Sequence, residues 1–126
     1  MPMLLRVQVR VVATHRWAHA KAELIQPPVP QAAAIAKALR RRHSHTFHIT
    51  VYVPTQGDRQ YEFIALDSVL TDVAQVCIDR RGHDFSCETL ANDIVLELKH
   101  RTIDATRLEV SEDGLYGAIW RANSIV

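Results

Sequence analysis

The sequence predicts an α+β sandwich in which two pairs of strands bury their apolar sides under two helices. Three observations carry that expectation. Apolar and polar residues alternate near the start and again after His43. Helical spacing takes over between Leu66 and Leu98, and alternation returns after Thr106 on both sides of an Asp113-Gly114 dipeptide. The order strand, strand, helix, helix, strand, strand follows.

Leu5, Val7, Val9 and Val11 alternate with Arg6, Gln8 and Arg10, as in a strand with one buried and one wet face. If that strand persists, His15 falls on its apolar side, close to Trp17. Periodicity is lost from Ala18, and Pro27-Pro28-Val29-Pro30 blocks regular structure before an alanine-rich stretch, Ala32 to Leu39, that can form a short helix. Residues 18–42 therefore read as a long structured connection, of a length that is uncommon unless it covers something or works at a site. His43, His45, Phe47, Ile49, Val51 and Val53 share one parity of the second strand, which a turn over Pro54 to Asp58 ends.

Arg59 to Ile64 reads as a short extended piece before a helix carrying Leu66, Val69, Leu70, Val73, Val76 and Cys77, with Asp67 in its first turn and its end near Arg81-Gly82. The next helix has Ser86 as N-cap, a stripe of Leu90, Ala91, Ile94, Val95 and Leu98, and its end at His100 and Arg101. Thr106 to Glu112 and Leu115 to Trp120 are the last strands, joined by the tight turn at Asp113-Gly114.

A length of 126 residues suits one domain over 1–126, and an apolar fraction of 48% supplies it with a core. Fifteen Lys and Arg against fourteen Asp and Glu leave a charge of +1, so no broad field draws nucleic acid or an acidic membrane. No stretch approaches the roughly 20 apolar positions of a membrane span. Arg6 and Arg10 interrupt any secretory core near the start, and a cytoplasmic protein is expected. Cys77 and Cys87 make at most one bridge, so reduced thiols are expected.

The seven histidines carry the functional argument, because imidazole both ligates metals and moves protons near neutral pH. His43 and His45, two apart on a strand, point to one face and can share an ion, and His15 can supply a third nitrogen. Three nitrogens around Zn²⁺ leave a position open for substrate. All three sit on the apolar sides of their strands, where a lone imidazole needs a partner. Spacing alone leaves a second reading open: strand-end histidines following Arg40-Arg41-Arg42, with no metal.

Ala13-Thr14-His15, His43-Ser44-His45 with the strand Thr46 to Val51, Glu62-Phe63-Ile64-Ala65-Leu66, Ser86-Cys87-Glu88-Thr89-Leu90-Ala91 and Val110-Ser111-Glu112 occur in that order. In this order they resemble the motifs of the 6-pyruvoyl-tetrahydropterin and 6-carboxytetrahydropterin synthases. The resemblance spans about His15 to Trp120. It implies the T-fold, an antiparallel four-stranded sheet with two helices on one face, assembled as a hexamer or other barrel of like subunits with active sites between them. It also implies zinc on His15, His43 and His45, with Glu112 anchoring a pterin-like substrate and Glu88 as a further substrate contact. The implied activity is a lyase acting on 7,8-dihydroneopterin triphosphate, and the carboxy-forming members make the precursor used for queuosine. Alternatives are a pterin- or purine-binding protein with altered or lost catalysis, and a structural barrel subunit.

The sequence departs from that pattern in three places. Ser44 replaces the usual glycine, and no cysteine lies on the connection before His43. The Leu-Asp-His segment is represented only by Gly82-His83-Asp84. Proton removal then needs another base, for which the candidates are His83 and Lys37, with His48 a further one facing away from His43 and His45. Arg40 to Arg42 can contact a triphosphate or simply solubilise the connection.

Overall fold

The computed structural model describes residues 3–123. Strand β1 runs over Met3–His15, helix α1 over Ala32–Arg40, strand β2 over His43–Thr55, helix α2 over Phe63–Arg80, helix α3 over Cys87–His100, and strands β3 and β4 over Arg107–Glu112 and Tyr116–Arg121. The sheet order is β1-β2-β3-β4, with every neighbouring pair antiparallel. Helices α2 and α3 cover one face, α2 against β1 and α3 against β3 and β4.

Alternation dictates which side is covered. Val7, Val9 and Val11 of β1, Phe47 to Val53 at odd positions of β2, and Leu108 and Val110 of β3 all point into the core. They meet Leu70, Val73 and Ile78 of α2 and Leu90, Ile94 and Leu98 of α3, so both helical stripes face the sheet as their spacing requires. Glu97 of α3 holds Arg80 of α2 at 2.7 Å and Arg101 at 3.1 Å, which fastens the two helices at their solvent edge.

Two boundaries differ from the sequence reading: β2 runs on through Pro54 and Thr55, which pair with Leu4 and Met3 of β1, and α2 starts earlier. Helix α2 begins at Phe63, so the extended piece expected at Arg59 to Ile64 is absent, its residues being a turn and bend with Arg59 at φ +58° and then the helix start, and Asp67 lies beyond the first turn. The reason is Glu62, whose carboxylate accepts the Ala65 backbone N–H at 2.9 Å and caps the helix four residues upstream of the first buried leucine, Leu66. The Ser86 cap is as expected, its hydroxyl accepting the Thr89 N–H at 3.1 Å. The connection contains a 3-10 turn at Ala22–Leu24 as well as α1. Ala20, Ile25 and Ala36 form a small cluster of their own there. Among the described residues no helix is long and apolar enough to cross a membrane.

Candidate metal centre

The antiparallel register makes the site. β1 ends where β2 begins, so His15 pairs directly with His43, and His45 lies two residues further along β2 on the same side. Their ring centroids are 4.5 Å apart for His15 and His43, 5.2 Å for His15 and His45, and 5.0 Å for His43 and His45. Phe47 and Phe85, each 5.1 Å from the His15 ring, form the apolar floor. One ring nitrogen from each histidine lies within 4.8 Å of those of the other two.

The hydrogen bonds decide which nitrogens are free. Nδ1 of His15 donates to the Phe85 carbonyl at 2.9 Å, Nδ1 of His43 to the Arg41 carbonyl at 2.9 Å, and Nδ1 of His45 to Oδ2 of Asp113 at 2.7 Å. With each Nδ1 proton committed to an oxygen, each Nε2 keeps a lone pair, which is how metal-binding imidazoles are usually oriented. Burial pushes the His15 pKa down, desolvation outweighing the Phe85 carbonyl and the Glu112 charge, and so favours the neutral form that can ligate.

Nε2 of His15 is buried without a hydrogen-bond partner, an arrangement that ordinarily costs about 1–3 kcal/mol. Glu112, the last residue of β3, brings one carboxylate oxygen to 3.2 Å from that nitrogen and the other to 3.5 Å from Nε2 of His45. The shorter contact has ion-pair distance but not hydrogen-bond alignment, so the nitrogen counts as unpartnered. A carboxylate facing two imidazole lone pairs is repulsive unless a proton or a metal cation lies among them. Three imidazoles beside a carboxylate are a donor set that fits Zn²⁺.

Beside the cluster lies a cavity of about 720 Å³ whose wall includes His15, His43, Glu112, Glu88 and Cys87. The two carboxylates expected at a substrate are therefore both at the cavity. Cys87 is at the wall as well, with Sγ 3.9 Å from Glu112 Oε1, and burial, aided by the Glu112 charge, pushes its pKa up to about 12. Cys77 is buried between α2 and α3, and burial pushes its thiol up to about 11.

The expected bases lie elsewhere. Lys37 is exposed on α1 and does not line the cavity. His83 is also outside the lining, in the α2–α3 loop at φ +68°, where its Nδ1 donates to the Thr14 carbonyl at 2.7 Å. That bond and the adjoining Arg16–Asp84 bridge tie the loop to the end of β1. Of the arginine run, Arg40 donates to the Ala20 carbonyl at 2.8 Å, and none of the three lines the cavity. The cavity's cations are Arg16, whose Nε is buried and unpartnered, and Arg81, already held by Asp93 at 2.8 and 3.1 Å.

Two residues of the site are given no role at it by the motif reading. Asp113 registers in the sequence only as a turn residue, and nothing local reveals that it reaches His45, 68 positions away. Cys87 does carry a signal, because with Leu90, Ala91 and Ile94 it completes an i, i+3, i+4, i+7 stripe toward the core.

The sequence matches no family model and no curated protein. In three dimensions the chain is similar to 6-pyruvoyl tetrahydropterin synthase of Caenorhabditis elegans, with a TM-score of 0.61 and 13% identity over 98% of this chain and 97% of that one. At that identity the likeness is one of fold: the open four-stranded antiparallel sheet with its helices on one face is the T-fold.

Proposed function

We propose that the chain is a zinc-dependent lyase of the 6-carboxytetrahydropterin synthase type, acting on a dihydropterin such as 7,8-dihydroneopterin triphosphate. The observation that carries this reading is the set of three imidazoles whose Nδ1 protons are all spent on oxygens while one ring nitrogen of each lies within 4.8 Å of those of the other two, beside a cavity that His15 and His43 line. His15, His43 and His45 would hold zinc, which supplies positive charge to stabilise oxygens of a bound substrate as they gain charge. Glu112 accepts the N–H groups of the heterocycle's guanidine-like edge, and Glu88 offers a second carboxylate on the same wall. The unpartnered Nε of Arg16 suits an anionic tail.

Proton removal requires a group at the cavity. Glu88, Glu112, Cys87 and Tyr116 are candidate proton carriers of that wall besides the histidines and Asp84, whereas Lys37 and His83 lie off it. Their displacement favours a second reading, a pterin- or purine-binding protein of the same fold that keeps the site and has lost the standard chemistry. Self-association fits either reading. β1 and β4 are free sheet edges, and Tyr116 and Ile119 are exposed along β4.

The test is the zinc content of gently purified protein, followed by turnover of 7,8-dihydroneopterin triphosphate before and after chelation. Stoichiometric zinc and turnover that chelation or His45→Ala abolishes are expected. Bound heterocycle without turnover establishes the second reading. Absence of both metal and heterocycle overturns the two together and leaves a structural barrel subunit.

A further inference from the structure

We infer that Asp113 is a positioning residue, which fixes the tautomer of His45 and so makes its Nε2 available to a metal. The inference rests on the metal reading above and adds a residue from the β3–β4 turn. Asp113 sits at φ +53°, a conformation that aspartate tolerates better than most residues, directly after the end of β3. Its backbone N–H donates to the Thr46 carbonyl at 2.8 Å, and its Oδ1 accepts the Thr46 N–H at 2.8 Å. The side chain thus stands in for a backbone carbonyl and extends the β2–β3 ladder by one step. With Oδ1 locked on the strand, Oδ2 has little freedom and lies 2.7 Å from Nδ1 of His45.

Both groups facing the carboxylate are donors, and this makes the assignment testable. An asparagine at 113 has one acceptor for two donors. The Thr46 N–H cannot give up its proton, so it takes the amide oxygen, and the amide NH₂ then faces His45 Nδ1. The imidazole keeps a hydrogen bond there only by moving its proton from Nδ1 to Nε2, which removes the lone pair a metal needs. Asp113→Ala removes both acceptors but forces no tautomer, since water can reach this exposed site.

The two variants therefore separate orientation from folding. Asp113→Asn is expected to weaken zinc binding about 10–100-fold, measured against a competing chelator, with a small change in melting temperature. Asp113→Ala is expected to lose more thermal stability and less zinc affinity. A merely structural aspartate predicts the same ranking for both quantities. Nitrogen-15 spectra of the metal-free protein at about pH 8, where imidazole is neutral, should show His45 protonated on Nδ1 in the wild type and on Nε2 in Asp113→Asn. Wild-type zinc affinity and an unchanged tautomer in Asp113→Asn would overturn the inference. If the wild-type chain takes no zinc, the metal reading falls, and the tautomer spectra still decide for or against Asp113.

Discussion

Replacing His15 by leucine separates a metal ligand from a structural histidine. The imidazole is 6% exposed and lies between Phe47 and Phe85, so a leucine of similar bulk fills the space. The substitution removes an unpartnered buried Nε2, a relief of about 1–3 kcal/mol, and strands the Phe85 carbonyl, a loss of about the same size. These nearly cancel, so the metal-free variant should unfold within about 1 kcal/mol of the wild type. Zinc changes the comparison. At a free concentration about 100 times the dissociation constant it stabilises the wild type by about 2.7 kcal/mol. Across 126 residues the unfolding entropy converts this to a rise of about 10 °C. His15→Leu should show almost none of that rise. Thermal scans with and without zinc read both numbers. A loss above about 3 kcal/mol in the metal-free variant, or a zinc-induced rise that survives the substitution, would refute the reasoning.

Three further outcomes follow from the geometry. A Cβ on Gly117 would stand 2.3 Å from the Val110 carbonyl oxygen and 2.8 Å from Ser111 Cα, so Gly117→Ala must push β4 off β3. It should cost about 1–3 kcal/mol or more, seen as a lower melting temperature. With its pKa near 12, the Cys87 thiol of the metal-free protein should react with alkylating agents at neutral pH far more slowly than a free cysteine, as timed mass spectrometry can show. The Arg80 and Arg101 guanidiniums hold the Glu97 carboxyl below its ordinary value of 4.5. The unfolded chain therefore binds the extra proton as pH falls through that range. Stability is present above pH about 4.5 and lost below it, and chemical denaturation of Glu97→Gln should show a shallower acid limb.

Much of the fold was legible because burial and period coincide. The apolar parity of β1 and β2 gave the sheet's covered face, and the spacing of Leu90 to Leu98 gave the covered side of α3. The cap of α2 was obscured because Glu62 is not a common N-cap residue, and Phe63 and Ile64 read as strand although both are exposed in the first turn. At the site, parity put His15, His43 and His45 on the buried side, but only the register of two separate strands brings their rings together. The Asp113–His45 contact and the distance of Lys37 and His83 from the cavity depend on tertiary packing that no local pattern encodes.

The departures from the synthase pattern fall where the structure can absorb them. All three histidines lie on β1 and β2, and Glu112 ends β3, so the histidine cluster is set by strand register on a rigid sheet. The connection has its own small apolar cluster, and the bond from Trp17 N–H to the Leu39 carbonyl at 2.7 Å joins its two ends. It contributes Trp17 and Leu39 to the cavity wall and turns Lys37 outward. A residue of that connection can change without moving any strand. The α2–α3 loop behaves in the same way, since His83 serves it by binding the Thr14 carbonyl. On the proposed reading the histidine cluster and the proton-carrying groups therefore belong to different parts of the fold, and a chain of this architecture can change the second while keeping the first.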